Sequence, residues 1–210
     1  MPKIIGTVIV LAVLGIVGAA ALIYSGSFNV AATEKHYDLV HSVIETARVR
    51  SIKAHAAGMT PPTDLDNQAR LVNGTSHFAE HCAMCHSAPG VEAGDMAEGM
   101  YPKPPVLTDV ATHYTPGELF WILKNGIKMS GMPSWGDHGD DDLWNTVAFM
   151  ERLPGMNEQD YGKLVMAAMA GGGHHMHSGG AMDMNGMDMG QETPAPVGAG
   201  QKTSSGGPRR

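Results

Sequence analysis

The sequence predicts an all-α protein made of an N-terminal membrane helix, a small helical domain and a disordered tail. Three observations support this class. Residues 4–24 form one uncharged, apolar run. Between residues 33 and 154, apolar residues recur at helical spacing and capping residues mark helix ends, whereas no convincing strand is found. Residues 171–210 are rich in Gly, Met and His and have no apolar periodicity, so they cannot bury enough surface to fold.

The apolar run at residues 4–24 is long enough to cross the hydrocarbon core of a membrane as one helix. A cleaved signal peptide is the alternative, because Lys3 precedes the run and residues 19–21 are small alanines that a peptidase accepts. The run is longer than a typical signal core, and those alanines lie inside it. We therefore expect an uncleaved anchor at residues 1–27, with everything after Tyr24 exported.

Residues 28–65 are predicted to form an amphipathic helix and a linker. Thr33 is a suitable N-cap, and a helix over 34–57 places four apolar residues on one face: Val40, Val43, Ile44 and Ala47. Gly58 is suited to end this helix, and two prolines then open the linker. The apolar stripe is expected to pack on the exported domain or on a partner subunit.

Residues 66–154 are predicted to form the folded domain, with three main helices and no strand. The first helix covers about 66–80. The Gly/Pro-rich stretch 88–109 disfavours both regular helix and central strand. Pro116 begins a second helix that Thr115 caps, and three aspartates precede the third, which ends before Pro154. Residues 155–210 are assigned to the disordered tail.

The chain has only two cysteines, Cys82 and Cys85, and His86 follows directly. A redox dithiol, half of a zinc site and covalent haem attachment are the three interpretations of this pattern. A structural zinc site normally needs a second ligand pair at similar spacing, and we find none. A redox dithiol normally lies between a strand and a helix, but the flanks here resemble helix and loop. The motif therefore indicates one covalent haem c, which agrees with an exported domain.

The segment 66–153 resembles a class I cytochrome c in the order of its motifs: a helix, "CAMCH", "PPVL" and "GIKMSGMPSWG". The resemblance implies a small cytochrome c fold around one haem, with thioether bonds to Cys82 and Cys85. It also implies roles for four further residues. These are His86 as proximal iron ligand, Met132 as distal ligand, Pro105 as carbonyl acceptor for the proximal imidazole, and Leu107 as haem cover. Gly74 and Phe149 resemble the pair at which the first and last helices cross. The stretches "FNVAATEKH" and "ARVRSIKAHAAG" resemble membrane-anchored monohaem cytochromes of bacteria.

The distal ligand has alternatives in the sequence. Met132 precedes Pro133, which keeps its backbone out of helical geometry and leaves the thioether on a loop. Met129 lies three residues earlier, and His113 and His138 are the remaining candidates. We expect Met132 to be the ligand.

If side chains fill both axial positions, the iron has no vacancy for a substrate, and the expected function is single-electron transfer and not catalysis. The expected setting is a single-pass protein of the bacterial inner membrane with its haem domain and tail in the periplasm. Membrane lipid, a dehydrogenase donor and an oxidase acceptor of a respiratory chain are the expected partners, with the chain as a free carrier or as an oxidoreductase subunit. Catalytic or gas-sensing haem would need an open iron site. The net charge of −7 and the absence of basic clusters argue against nucleic-acid binding.

Copper handling is the alternative function. The tail carries eight imidazole and thioether side chains, which suit Cu(I), and such a protein would be associated with a copper oxidase. The residues are His174, His175, Met176, His177, Met182, Met184, Met187 and Met189.

Overall fold

The computed structural model describes residues 1–171, and within them the fold is helical without strands. Single-turn 3₁₀ segments lie at Ala111–His113 and Gly136–His138. The α-helices, in chain order, are α1 Pro2–Tyr24, α2 Asp38–His55, α3 Gln68–His81, α4 Ala83–His86, α5 Asp95–Glu98, α6 Leu107–Val110, α7 Pro116–Asn125, α8 Asp140–Arg152 and α9 Glu158–Ala170. The predicted all-α class is confirmed. The eight candidate copper ligands of the tail lie outside the described residues.

Helix α1 contains the whole predicted apolar run and none of its residues is buried. In the described part of the chain it is the one helix whose length and composition would allow it to cross a membrane. A bilayer-spanning helix and a signal sequence share these properties.

Helix α2 begins at Asp38, four residues later than the sequence suggests. The preceding segment is turned and extended, and the backbone N–H of His36 donates to the hydroxyl of Tyr101 at 2.9 Å. The C-terminal half of α2 packs against α7, and Ile52 is fully buried. An Arg48 guanidinium N–H donates to the Tyr114 hydroxyl at 3.0 Å. The C-terminal part of the amphipathic helix therefore packs on the folded domain, while Val43, nearer its start, stays exposed.

The core is built on the crossing of α3 and α8. Gly74 lies where the two backbones meet, and a Cβ atom at this position would overlap the Asn145 carbonyl oxygen. One turn further along α3, the Phe78 ring lies 4.8 Å from the Phe149 ring, and both side chains are fully buried. Only a residue without a side chain allows so close a crossing at Gly74. The family resemblance predicted that the first and last helices of the domain cross at Gly74 and Phe149.

Helix α9 lies where the sequence assigned the start of the disordered tail. The Asn157 side chain accepts a hydrogen bond from the Asp160 backbone N–H at 2.9 Å and so caps the helix. The rings of Tyr161 and Phe149 are 6.0 Å apart, and α9 packs along α3. Folded structure therefore continues to Ala170. The apolar spacing of this helix was readable in the sequence, at Tyr161, Leu164, Val165 and Ala168.

Helices α7 and α8 begin as their sequences predict. Thr115 and Glu118 form a reciprocal capping box at the start of α7, and Pro116 occupies its first turn. Gly126 ends α7 with φ of 66°, and a side chain there would overlap Pro133. Three aspartates occupy the first turn of α8, where the helix dipole favours negative charge.

Replacing Gly74 with Ala should lower the free energy of unfolding by about 1–3 kcal/mol, because the new methyl group forces α3 and α8 apart. Thermal unfolding of the purified protein in detergent, followed by circular dichroism, measures this effect. Gly162 is the matched control, because it is also helical and a Cβ there meets nothing within 4 Å. Gly162→Ala should be neutral or stabilising by up to about 1 kcal/mol. Equal stabilities for the two variants would show that the helices do not cross at Gly74.

Candidate functional site

His86 ends α4, the single turn that follows α3 almost without interruption. Its Nδ1 lies 2.8 Å from the carbonyl oxygen of Pro105. A carbonyl oxygen only accepts, so Nδ1 carries the proton and Nε2 keeps its lone pair. Burial lowers the pKa of His86, and the bond to Pro105 partly opposes this shift. The arrangement provides a neutral imidazole with one oriented nitrogen for a metal ion.

The two cysteines lie on the turn between α3 and His86. Cys82 is buried, Cys85 is half-buried, and neither forms a disulfide. Burial, and secondarily the charge of Cys85, raise the pKa of Cys82 to about 12. Redox dithiols instead have a thiol whose pKa is lowered, and in thioredoxin-like proteins they follow a strand. Here the motif follows helix α3 and not a strand, so the structure disfavours the dithiol interpretation.

The loop after α7 separates the candidates for a distal ligand. Met132 is half-buried and packs on an apolar cluster formed by α7 and α8. Its backbone is held on both sides, because its carbonyl accepts from the Ile127 N–H at 3.1 Å and its N–H donates to the Ser130 hydroxyl at 3.2 Å. Met129 is 84% exposed, with φ of 61°. His113 is exposed as well, and the His138 ring contacts other histidines.

Leu107 joins two apolar clusters that otherwise have separate members. The first cluster contains Cys82, Phe78 and Phe149, and the second is the α7–α8 cluster against which Met132 packs. Pro105, whose carbonyl holds His86, lies two residues before Leu107. The proline-rich loop thus brings the imidazole acceptor and an apolar side chain to the boundary between the cysteine-bearing and methionine-bearing halves of the domain.

The indole of Trp135 gives a further sign that this site would accommodate a haem. The indole N–H of Trp135 is buried and has no hydrogen-bond acceptor among the residues that the structure describes. Buried N–H groups normally have a partner, and a haem carboxylate is an acceptor of the required kind. Two closely spaced cysteines, a neutral oriented histidine and a half-buried methionine complete a donor set suited to covalent haem.

A comparison with protein families supports this assignment. The model of the family described as "Cytochrome C oxidase, cbb3-type, subunit III" matches residues 69–150. This segment is a class I c-type cytochrome domain. No curated protein matches the chain.

The c-type cytochrome domain extends from the first turn of α3 to the end of α8, so it includes the cysteines, His86 and Met132. The match confirms the predicted family resemblance and a role in haem-based electron transfer. It also supports haem c as the cofactor.

Sequence reasoning missed one group of residues in this domain. His77 and His81 on α3 meet His138 from the turn before α8, beside Trp135. The spacing of the first two histidines, four residues apart on a helix, was a visible signal. The approach of His138 depends on the tertiary fold, and the sequence suggested this residue only as an alternative iron ligand.

Proposed function

We propose that the protein is a membrane-anchored monohaem cytochrome c that carries single electrons between respiratory partners on the periplasmic side of the bacterial inner membrane. The principal support is the geometry of His86, whose Nδ1–H is held by Pro105 so that Nε2 is available to iron. The family match supports haem-based electron transfer in general. The identity of the iron ligands, the periplasmic location and the redox partners are parts of the proposal.

In this proposal, Cys82 and Cys85 hold the haem through thioether bonds. His86 Nε2 and the Met132 sulfur would bind the iron, and with both in place neither oxygen nor a substrate would find an open position there. The bound haem supplies a one-electron change at its iron. The Pro105 carbonyl keeps the proton on Nδ1 and increases the basicity of the ligating nitrogen. A thioether opposite an imidazole favours the reduced state more than a second imidazole does.

Helix α1 is proposed to be the membrane anchor, with Lys3 on the cytoplasmic side and the haem domain exported. An anchor confines the domain to encounters near the membrane surface. A dehydrogenase is the proposed electron donor and an oxidase the proposed acceptor, and the chain acts as a free carrier or as a subunit of an oxidoreductase complex. On this proposal the chain has no catalytic residues of its own.

We also propose that the tail binds Cu(I), in association with a copper oxidase. The supporting observation is in the sequence, where "HHMH" and "MDMNGMDMG" place imidazoles and thioethers close together. These are ligands that soft copper prefers. Copper binding by the tail is compatible with electron transfer by the cytochrome domain.

Replacing both Cys82 and Cys85 with Ala should abolish covalent haem, because no thiol remains to form a thioether. The measurement is haem staining on a denaturing gel, together with the intact mass, after expression in a bacterium that matures c-type cytochromes. Met84→Ala is the control, since Met84 lies between the cysteines with an exposed side chain. The unmodified chain and the control should carry the mass of one haem. A colourless unmodified chain at the mass of bare polypeptide would refute the proposal.

Met132→Ala should remove the sulfur-to-iron charge-transfer band of the ferric protein, lower the reduction potential and allow carbon monoxide to bind the ferrous iron. Met129→Ala is the matched control and should leave all three properties unchanged, because its side chain points into solvent. Optical spectra and a redox titration measure these effects. Loss of the band in Met129→Ala and its survival in Met132→Ala would instead identify Met129 as the ligand.

Ending the chain at Ala170 should reduce the number of Cu(I) ions bound while leaving the haem spectrum unchanged, because α9 and the cytochrome domain are retained. Competition titration against a Cu(I) chelator measures the stoichiometry. An unchanged copper stoichiometry would contradict copper binding by the tail.

A further inference from the structure

Three histidines outside the haem ligand set converge on one side of the cytochrome domain. His77 and His81 are one turn apart on α3 and therefore share a face, and His138 ends the 3₁₀ turn before α8. One ring nitrogen from each of the three lies within 4.8 Å of the others. All three side chains are half-buried. We name this group the histidine triad.

The hydrogen bonds of Thr146 determine the tautomer of His77. The Thr146 hydroxyl, which is fully buried, donates its one proton to the Asp142 carbonyl at 2.8 Å. The same hydroxyl oxygen lies 2.9 Å from His77 Nδ1, and with its proton already donated it can only accept a hydrogen bond from that nitrogen. Nδ1 then carries the proton, and the lone pair lies on Nε2, the atom that faces His138 Nδ1 at 2.9 Å. Metal-binding histidines typically have this arrangement, with one nitrogen held by an outer acceptor and the other directed to the ion.

The surroundings of the triad also suit a metal ion. The Trp135 ring forms one wall, with its centroid 5.2 Å from that of His81 and 5.0 Å from that of His138. Tetrahedral binding at usual metal–nitrogen distances requires nitrogens about 3.3 Å apart. The observed separations of 2.9 Å and up to 4.8 Å lie on either side of this value, so small side-chain rotations are sufficient. Three imidazoles leave a fourth position for water.

We propose that the histidine triad is a second, non-haem metal site that binds one divalent transition ion, Zn²⁺ or Cu²⁺. Neutral imidazole suits both ions, and Cu²⁺ should bind more tightly at a site of nitrogen ligands. The bound ion would join the end of α3 to the segment between Met132 and α8. The site shares no ligand with the haem iron site proposed above or with the copper ligands proposed in the tail.

The experiment uses the full haem-loaded chain in detergent, with His174, His175 and His177 replaced by Gln so that tail imidazoles do not compete. Zn²⁺ is titrated by isothermal calorimetry, and Cu²⁺ is added for electron paramagnetic resonance. We expect one equivalent of Zn²⁺, a rise in the thermal midpoint on zinc addition, and nitrogen coupling in the copper spectrum. The absence of both the zinc equivalent and nitrogen coupling in the copper spectrum would overturn the proposal.

Variants in that background identify the ligands. His138→Gln should abolish the zinc equivalent, and Thr146→Val should weaken zinc binding by about 10–100-fold, because the outer acceptor for His77 is lost. His113→Gln is the control, since His113 is an exposed loop histidine and should leave binding unchanged. The haem spectrum of each variant reports whether the domain has folded. Unchanged zinc affinity in His138→Gln with an intact haem spectrum would show that the triad is not a metal site.

Discussion

The close crossing of α3 and α8 at Gly74 is the constraint on which the rest of the domain depends. With no side chain at this point, the α3 backbone contacts the Asn145 carbonyl, and Phe78 and Phe149 pack directly beyond it. Helix α3 leads straight into the cysteines and His86, and α8 follows the loop that carries Met132. The crossing therefore determines how the two segments that carry the proposed iron ligands approach each other.

A haem would add apolar surface to the core of this domain in addition to supplying the one-electron change. The described domain is small, and its apolar side chains fall into two clusters that share Leu107. Small domains bury a smaller fraction of their surface than large ones, and their stability is correspondingly marginal. A porphyrin between the clusters would provide apolar surface, and its carboxylates would provide acceptors for the buried indole N–H of Trp135. Folding and cofactor attachment are thus expected to support each other.

The sequence predicted features that depend on local chemistry and missed those that depend on distant contacts. The capping box at Thr115 and the aspartates of α8 are local signals, and both helices begin where these signals lie. The interpretation of the cysteine motif as a haem attachment site also depended only on Cys82, Cys85, His86 and their spacing. Helix α9 was missed although its apolar residues recur at helical spacing, because the segment contains Gly162 and leads into the Gly-rich tail. It packs on α3, and this tertiary contact is not visible in its own sequence.

The loop between α7 and α8 contributes to both proposed sites, and this links them mechanically. Met132 lies in its middle, while Trp135 and His138 lie near its end. A backbone bond from Trp135 N–H to the Leu123 carbonyl already holds the loop against α7, and one from Ile127 N–H to the Met132 carbonyl closes the loop on itself. A metal ion on the histidine triad would add a restraint towards α3, which bears the cysteines at its end. The position of the Met132 sulfur would then be restrained from both helices, and a ligand held in this way limits structural change when the iron gains or loses an electron.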